Sequence, residues 1–119
     1  DDCLRQIAVT LKTSLKRPAD LVARYGGEEF ACILPDTPFS DAMGLANELE
    51  RKVRALSIPH AQSSVAHVVT VSVGVATRTL DSVDDQAALI GLADAQLYEA
   101  KQSGRGRVRG AQLGSLRTV

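Results

Sequence analysis

The sequence predicts an α+β fold in which an antiparallel hairpin lies within a small sheet and helices pack on that sheet. Three observations carry this reading. An alternating stretch in which Leu21, Ala23 and Tyr25 interleave with Val22 and Arg24, and an apolar run from Phe30 to Leu34, flank Gly26-Gly27. Val69, Val71, Val73 and Val75 alternate with small or polar residues. Three other stretches repeat apolar residues at helical spacing.

Leu4, Ile7, Ala8, Leu11 and Leu15 form one such stripe, so the chain opens in an amphipathic helix that Pro18 ends. The hairpin follows, its glycine pair supplying the tight link. Pro35-Asp36-Thr37-Pro38 is a turn, with Thr37 or Ser40 expected to cap the second helix. The inner face of that helix is Ala42, Leu45, Ala46, Leu49, Val53 and Leu56, and Glu50 and Arg54 can pair across one turn of its outer side. Residues 57–64 form a loop, and the valine alternation gives the next strand. A third helix follows Asp84-Asp85, with Leu89, Ile90, Ala93, Leu97 and Ala100 inward and Gly104 as terminator. Residues 107–109 suggest a last short strand. Residues 111–119 show no period and read as a tail, so the domain is expected over 1–110.

A chain of 119 residues, 45% apolar, has the material for one modest core. Its 14 basic and 14 acidic residues cancel, so no global field draws in DNA, RNA or an anionic membrane, and any phosphate recognition is local. No apolar run is long enough to span a bilayer, and no basic-then-apolar leader opens the chain. Cys3 and Cys32 have no metal spacing; Cys32 lies in an apolar run, which predicts a buried, reduced thiol and a cytoplasmic chain. His60 and His67 have no third ligand nearby and read as surface residues.

The most informative segment is Arg24-Tyr25-Gly26-Gly27-Glu28-Glu29-Phe30. Two glycines permit positive φ and leave the backbone bare to a large ligand. Adjacent carboxylates at a hairpin tip suit a hard divalent cation that bridges phosphates. A solvated acidic turn explains the same residues. Lys101 and Arg105 end the third helix, where the dipole favours cations that can also reach outward to phosphate. Simple charge complementarity at a helix end is the plainer account. Arg17 and Asp20 are spaced to pair with each other across the helix-to-strand loop. Asp1 or Asp2 is placed to be an ordinary N-cap.

Gly26-Gly27-Glu28-Glu29-Phe30, with Arg24-Tyr25 before it and Leu34-Pro35-Asp36-Thr37 after it, resembles the signature of the GGDEF domain of bacterial diguanylate cyclases in its GGEEF form. Residues 70–76 and 93–106 are similar to the family's central strand and its last helix and turn, in the right order. The resemblance implies a ferredoxin-like, palm-type (nucleotidyl cyclase-like) antiparallel sheet packed with helices. It also implies condensation of two GTP molecules into cyclic di-GMP with release of pyrophosphate, by a homodimer in which each copy presents one GTP. Glu28 and Glu29 would hold Mg²⁺, two ions per site with Mn²⁺ an admissible substitute, and Glu28 would help activate the attacking 3′-hydroxyl. Gly26 and Gly27 would let guanosine and phosphates lie against the turn, Asp1 would read the guanine edge, and Lys101 and Arg105 would hold the triphosphate. Arg17 and Asp20 match the family's inhibitory product site, although Glu48 stands where the family commonly adds an Arg, with Arg51 one turn on. Gly106 stands where the family often has Asn.

The family's first strand, with an Asp that shares the metal, a Phe-Lys pair and an Asn, is expected ahead of Asp1. On that basis the 119 residues alone are expected to be inactive, and the natural protein to carry a sensor or receiver domain upstream. The alternative to the enzyme is a non-catalytic module that binds cyclic di-GMP through Arg17 and Asp20, or GTP. A ferredoxin-like interaction domain is a third reading.

Overall fold

The structure, a computed structural model, describes residues 2–15, 17–26, 29–59, 68–79 and 85–113, with the backbone alone for 23–26. These residues belong to two compact units, Asp1–Thr37 and Pro38–Val119.

In the first unit, α1 (Asp2–Ser14) buries Ile7, Leu11 and Ser14. The inner stripe is the expected one, except that Ser14 is more deeply buried than Leu15. The last helical bond runs from the Leu15 N–H to the Leu11 carbonyl, ahead of Pro18. The hairpin is antiparallel as expected, from β1 (Leu21–Gly26) to β2 (Glu29–Ile33). Leu21 faces Ile33, Val22 faces Cys32 and Gly26 faces Glu29; an irregularity between Arg24 and Gly26 leaves Tyr25 without an opposite residue. Such an extra residue bends the strand just before the glycine turn.

Cys32 corrects one expectation. It is a free thiol on an exposed residue of β2 rather than a core residue. Among the described residues of this unit α1 packs on β1, and the end of β2 at Cys32 and Ile33 is exposed. Leu21 and Ile33, directly opposite each other, are likewise exposed. The protein surrounding the Cys32 sulfur still desolvates it and, with the Asp20 carboxylate, pushes its pKa above the ordinary value.

The second unit contains α2 (Phe39–Ala55), β3 (Val73–Arg78), α3 (Gln86–Gln102) and β4 (Val108–Leu113). β3 and β4 run parallel, pairing Val73 with Val108 through to Arg78 with Leu113. A parallel pair needs a crossover, and α3 supplies it. The expected antiparallel ladder therefore holds for the hairpin, while this pair forms a separate two-stranded sheet of opposite sense.

The helices cover both faces of that pair. Gly74 and Arg109 share one face, Val75 and Gly110 the other. A Cβ on Gly74 would lie 2.3 Å from the Ala93 carbonyl oxygen and 2.4 Å from the Leu97 nitrogen, so α3 presses on the first face. A Cβ on Gly110 would meet Met43 Sδ at 2.4 Å and Phe39 Cε1 at 3.2 Å, so α2 covers the second. Coverage on both faces removes the in-and-out burial contrast that the valine alternation predicted.

Several boundaries differ from expectation, each for a local reason. The strand begins at Val73, not Val69, because its partner begins at Val108. Val69 instead donates to the Ile58 carbonyl. Residues 111–113, expected in the tail, complete β4, and 114–119 lie outside the described residues. Neither Thr37 nor Ser40 caps α2; Pro38 holds the N-cap position without a side-chain bond. Thr37 donates instead to the Pro35 carbonyl at 3.1 Å. Asp36 adopts a left-handed φ of 52° in the expected turn. Ser57, at φ 54°, ends α2. Ala42, Ala46, Leu49 and Val53 are buried as expected, but Leu56 and Ile90 are exposed. Asp85 caps α3, accepting from the Ala88 N–H at 2.9 Å. His60 and His67 lie outside the described residues. No described helix is long and apolar enough to cross a membrane.

Two outcomes follow from the packing. Gly74→Ala drives a methyl into helix backbone, and overpacking of this kind should cost about 3 kcal/mol in urea unfolding. Gly91→Ala, in a helix with nothing within 4 Å of the new Cβ, should instead gain up to about 1 kcal/mol. Equal effects of the two substitutions would contradict the close contact of β3 with α3. A third outcome concerns the thiol. Raised pKa means less thiolate at a given pH, so in a Cys3→Ser background alkylation of Cys32 should reach half-maximal rate above the ordinary thiol pKa. Asp20→Asn should lower that midpoint partway, since desolvation, the larger cause, remains. A midpoint at or below the ordinary value refutes the account.

Candidate functional site

The hairpin tip and the end of α3 carry the residues to which the sequence assigns chemistry. At the tip, Gly26 closes β1 opposite Glu29, the first residue of β2. Glu29 is exposed, and its carboxylate makes no ion pair among the described residues. Gly27, Glu28 and Asp1 lie outside the described residues. Among the described residues no three Asp, Glu, His or Cys side chains gather as a metal site.

Arg17 and Asp20 form an ion pair of 3.0 Å between Arg17 Nη2 and Asp20 Oδ1. The Asp20 side chain is only 5% exposed, the Arg17 side chain 48%. The same guanidinium donates to the Pro35 carbonyl and the Thr37 hydroxyl. The motif thus closes the helix-to-strand loop upon the turn after β2. The arginine is about half exposed, while the aspartate is covered. Glu48 pairs with Lys52 at 2.9 Å along α2. Arg51 is exposed.

The turn after α3 is built with unusual care. Ser103 donates its N–H to the Glu99 carbonyl at 2.9 Å, and Gly104 takes φ 127°. Arg105 and Gly106 then both adopt left-handed backbone, φ 58° and 54°. The Arg105 N–H returns to the Ala100 carbonyl at 3.0 Å, satisfying a helix-end acceptor. A left-handed non-glycine residue costs roughly 1–2 kcal/mol, so Arg105 keeps its side chain against a backbone preference for glycine. Lys101 is half-buried and Arg105 exposed. Neither side chain has an ion-pair partner among the described residues. From Lys101 to Val119 the sequence has no acidic residue, so this end of the unit is locally cationic within a neutral chain.

Both backbone polar groups of Gly106 are held by side chains. Its N–H donates to Ser72 Oγ at 3.1 Å, and its carbonyl accepts from Arg54 Nη2 at 3.1 Å. Arg54 is aimed by Glu50, at 2.8 Å from the same nitrogen and 3.1 Å from Nε. The Val73 N–H, bonded to the Arg107 carbonyl at 2.9 Å, closes the other side of the turn. Sequence reasoning identified the Glu50–Arg54 spacing but took it for a surface pair; nothing in the spacing shows that Arg54 also reaches residue 106. Ser72 was one small residue in a strand pattern, and its role rests on the strand starting one residue later.

Comparison with known proteins agrees with these features. The family model described as "Diguanylate cyclase, GGDEF domain" matches residues 1–107. The response regulator PleD of Caulobacter vibrioides is 39% identical over 110 residues, which cover 92% of this chain and 24% of that protein. Diguanylate cyclase A of Treponema denticola is 39% identical over 108 residues, 91% of this chain and 28% of that protein. The crystal structure of the GGDEF domain of DgcB from Caulobacter crescentus, in complex with c-di-GMP, superposes with a TM-score of 0.76 at 28% identity, covering 92% of this chain and 63% of that one. The chain spans about a quarter of the length of the curated relatives it matches. Signature hairpin, crossover unit and basic turn occur together, in order, along a sequence matched over nearly all of its length: this chain belongs to the GGDEF family.

Proposed function

We propose that the protein carrying this chain is a diguanylate cyclase. In the proposed reaction the 3′-hydroxyl of each of two GTP molecules attacks the α-phosphate of the other. Two phosphodiester bonds form, two α–β phosphoanhydride bonds break, and two pyrophosphates leave, giving cyclic di-GMP. One GTP site cannot complete a ring of two nucleotides, so two copies of the domain act together. The observation that carries the reading is the GGEEF sequence at a hairpin in a chain of this family, with Glu29 exposed and without an ion pair among the described residues.

Each element has a separate task. Gly26 and Gly27 offer bare backbone to the nucleotide. Lys101 and Arg105, without ion-pair partners among the described residues, offer cations to phosphate oxygens, and phosphoryl transfer depends chiefly on positioning and charge stabilisation of this kind. Glu28 and Glu29 are hard oxygen donors of the type Mg²⁺ takes together with substrate phosphates, and a cation bound there would neutralise charge on the transferring group. Asp1 is proposed to accept from the guanine edge. Arg17 and Asp20 are proposed as a product site. The half-exposed guanidinium is available to a phosphate or guanine, at the expense of its present bonds to Asp20 and the turn after β2.

The test is cyclic di-GMP formation from GTP and Mg²⁺ by the complete gene product. Glu28→Gln with Glu29→Gln should abolish turnover. Lys101→Ala and Arg105→Ala should each weaken GTP use by about 10-fold to 100-fold, the usual cost of a lost charge-assisted hydrogen bond. Full activity of the double glutamine variant would sink the proposal.

A further inference from the structure

We infer that Arg54 is a positioning residue for phosphate binding: it fixes the turn that presents Arg105 by holding the carbonyl of Gly106. This rests on the proposed role of Lys101 and Arg105. It adds a residue on a different helix that acts through the backbone of the turn.

Three observations support it. First, Arg54 reaches across 52 residues of sequence to a single backbone oxygen. That oxygen belongs to the residue immediately after Arg105, in the left-handed pair. Second, the guanidinium is itself oriented by Glu50, whose side chain is 13% exposed and which receives both Nε and Nη2. A mostly covered acid whose Oε2 accepts from both nitrogens gives the arginine little freedom. Third, the space is made by the absence of a side chain at 106. A Cβ there would sit 3.0 Å from Thr70 Oγ1 and 3.4 Å from Arg54 Nη2. A larger side chain would have to pass between Thr70 and the guanidinium.

The consequence is a division of labour. Arg105 sits in a backbone conformation that non-glycine residues disfavour. The Ser72 hydroxyl on one side of the next residue and Arg54 on the other hold the chain in that shape. Without Arg54 the Gly106 peptide is free to rotate, because glycine tolerates many alternatives. The Arg105 side chain then samples orientations away from phosphate. Binding of GTP weakens, while the chemistry of bound GTP is unchanged.

The experiment measures KM and kcat for GTP with the complete gene product and four variants: Arg54→Leu, Glu50→Gln, Arg105→Ala and the Arg54→Leu/Arg105→Ala double variant. Arg54→Leu should raise KM about ten-fold with kcat within about two-fold, the pattern of lost binding rather than lost transition-state contact. Glu50→Gln keeps the side-chain size and should give a smaller rise, which guards against misfolding of the leucine variant. The double variant should be no worse than Arg105→Ala alone, because the two residues act through one contact. Three results overturn the inference: an unchanged KM in Arg54→Leu, effects of Arg54→Leu and Arg105→Ala that multiply, or a fall confined to kcat. If Arg105→Ala itself leaves KM unchanged, the phosphate role of the turn fails and the positioning role falls with it. If only the Arg54 variants are silent, the phosphate role stands and the positioning role alone is wrong.

Discussion

The approach of β3 to α3 at Gly74 governs the larger unit. At that point helix backbone lies where any side chain would need to be. The contact sets the depth at which α3 lies on the parallel pair. It thereby sets where the helix ends and where its cationic turn emerges before β4. Interiors packed at crystal-like density do not absorb such a displacement locally. The turn is then secured from the opposite direction, by Ser72 ahead of β3 and Arg54 from α2. A segment that offers charge to a ligand is thus gripped through its main chain, which leaves the side chains unspent.

Much of this was legible in the sequence. The 3.6-residue stripes gave all three helices, and Gly104 marked the end of α3 because few other residues tolerate its backbone. The hairpin was legible because two glycines between apolar runs have few other uses. The failures share a cause: they turn on what lies beyond the local window. Strand alternation located β3 but not its first residue, since a strand exists only where a partner is opposite. β4 ran further than its pattern suggested because pairing with β3 held residues that have no period of their own. Thr37 looked like a cap until Arg17, twenty residues earlier, engaged it. Leu56 and Ile90 were assigned inward by period and Cys32 by its apolar run, and neither pattern reports whether anything covers the residue.

The candidate site divides in the same way. Residue types at the tip and the turn were legible from the family signature and from charge at a helix end. The left-handed pair at Arg105 and Gly106 also explains the glycine there, since glycine is the residue that takes this backbone most easily. What stayed hidden was the support. Arg54 carries no motif, and its i,i+4 partner makes it look like hundreds of ordinary surface arginines. Side chain–backbone contacts of long sequence separation leave no periodic trace.

The left-handed backbone at Arg105 bears on how charge-removal experiments there should be interpreted. Replacing that arginine by glycine would relieve conformational strain while deleting a cation, so thermal tolerance and ligand affinity would move in opposite directions. A selection for robustness alone would drift toward the smaller residue. Arginine at such a position therefore supplies something that folding does not require.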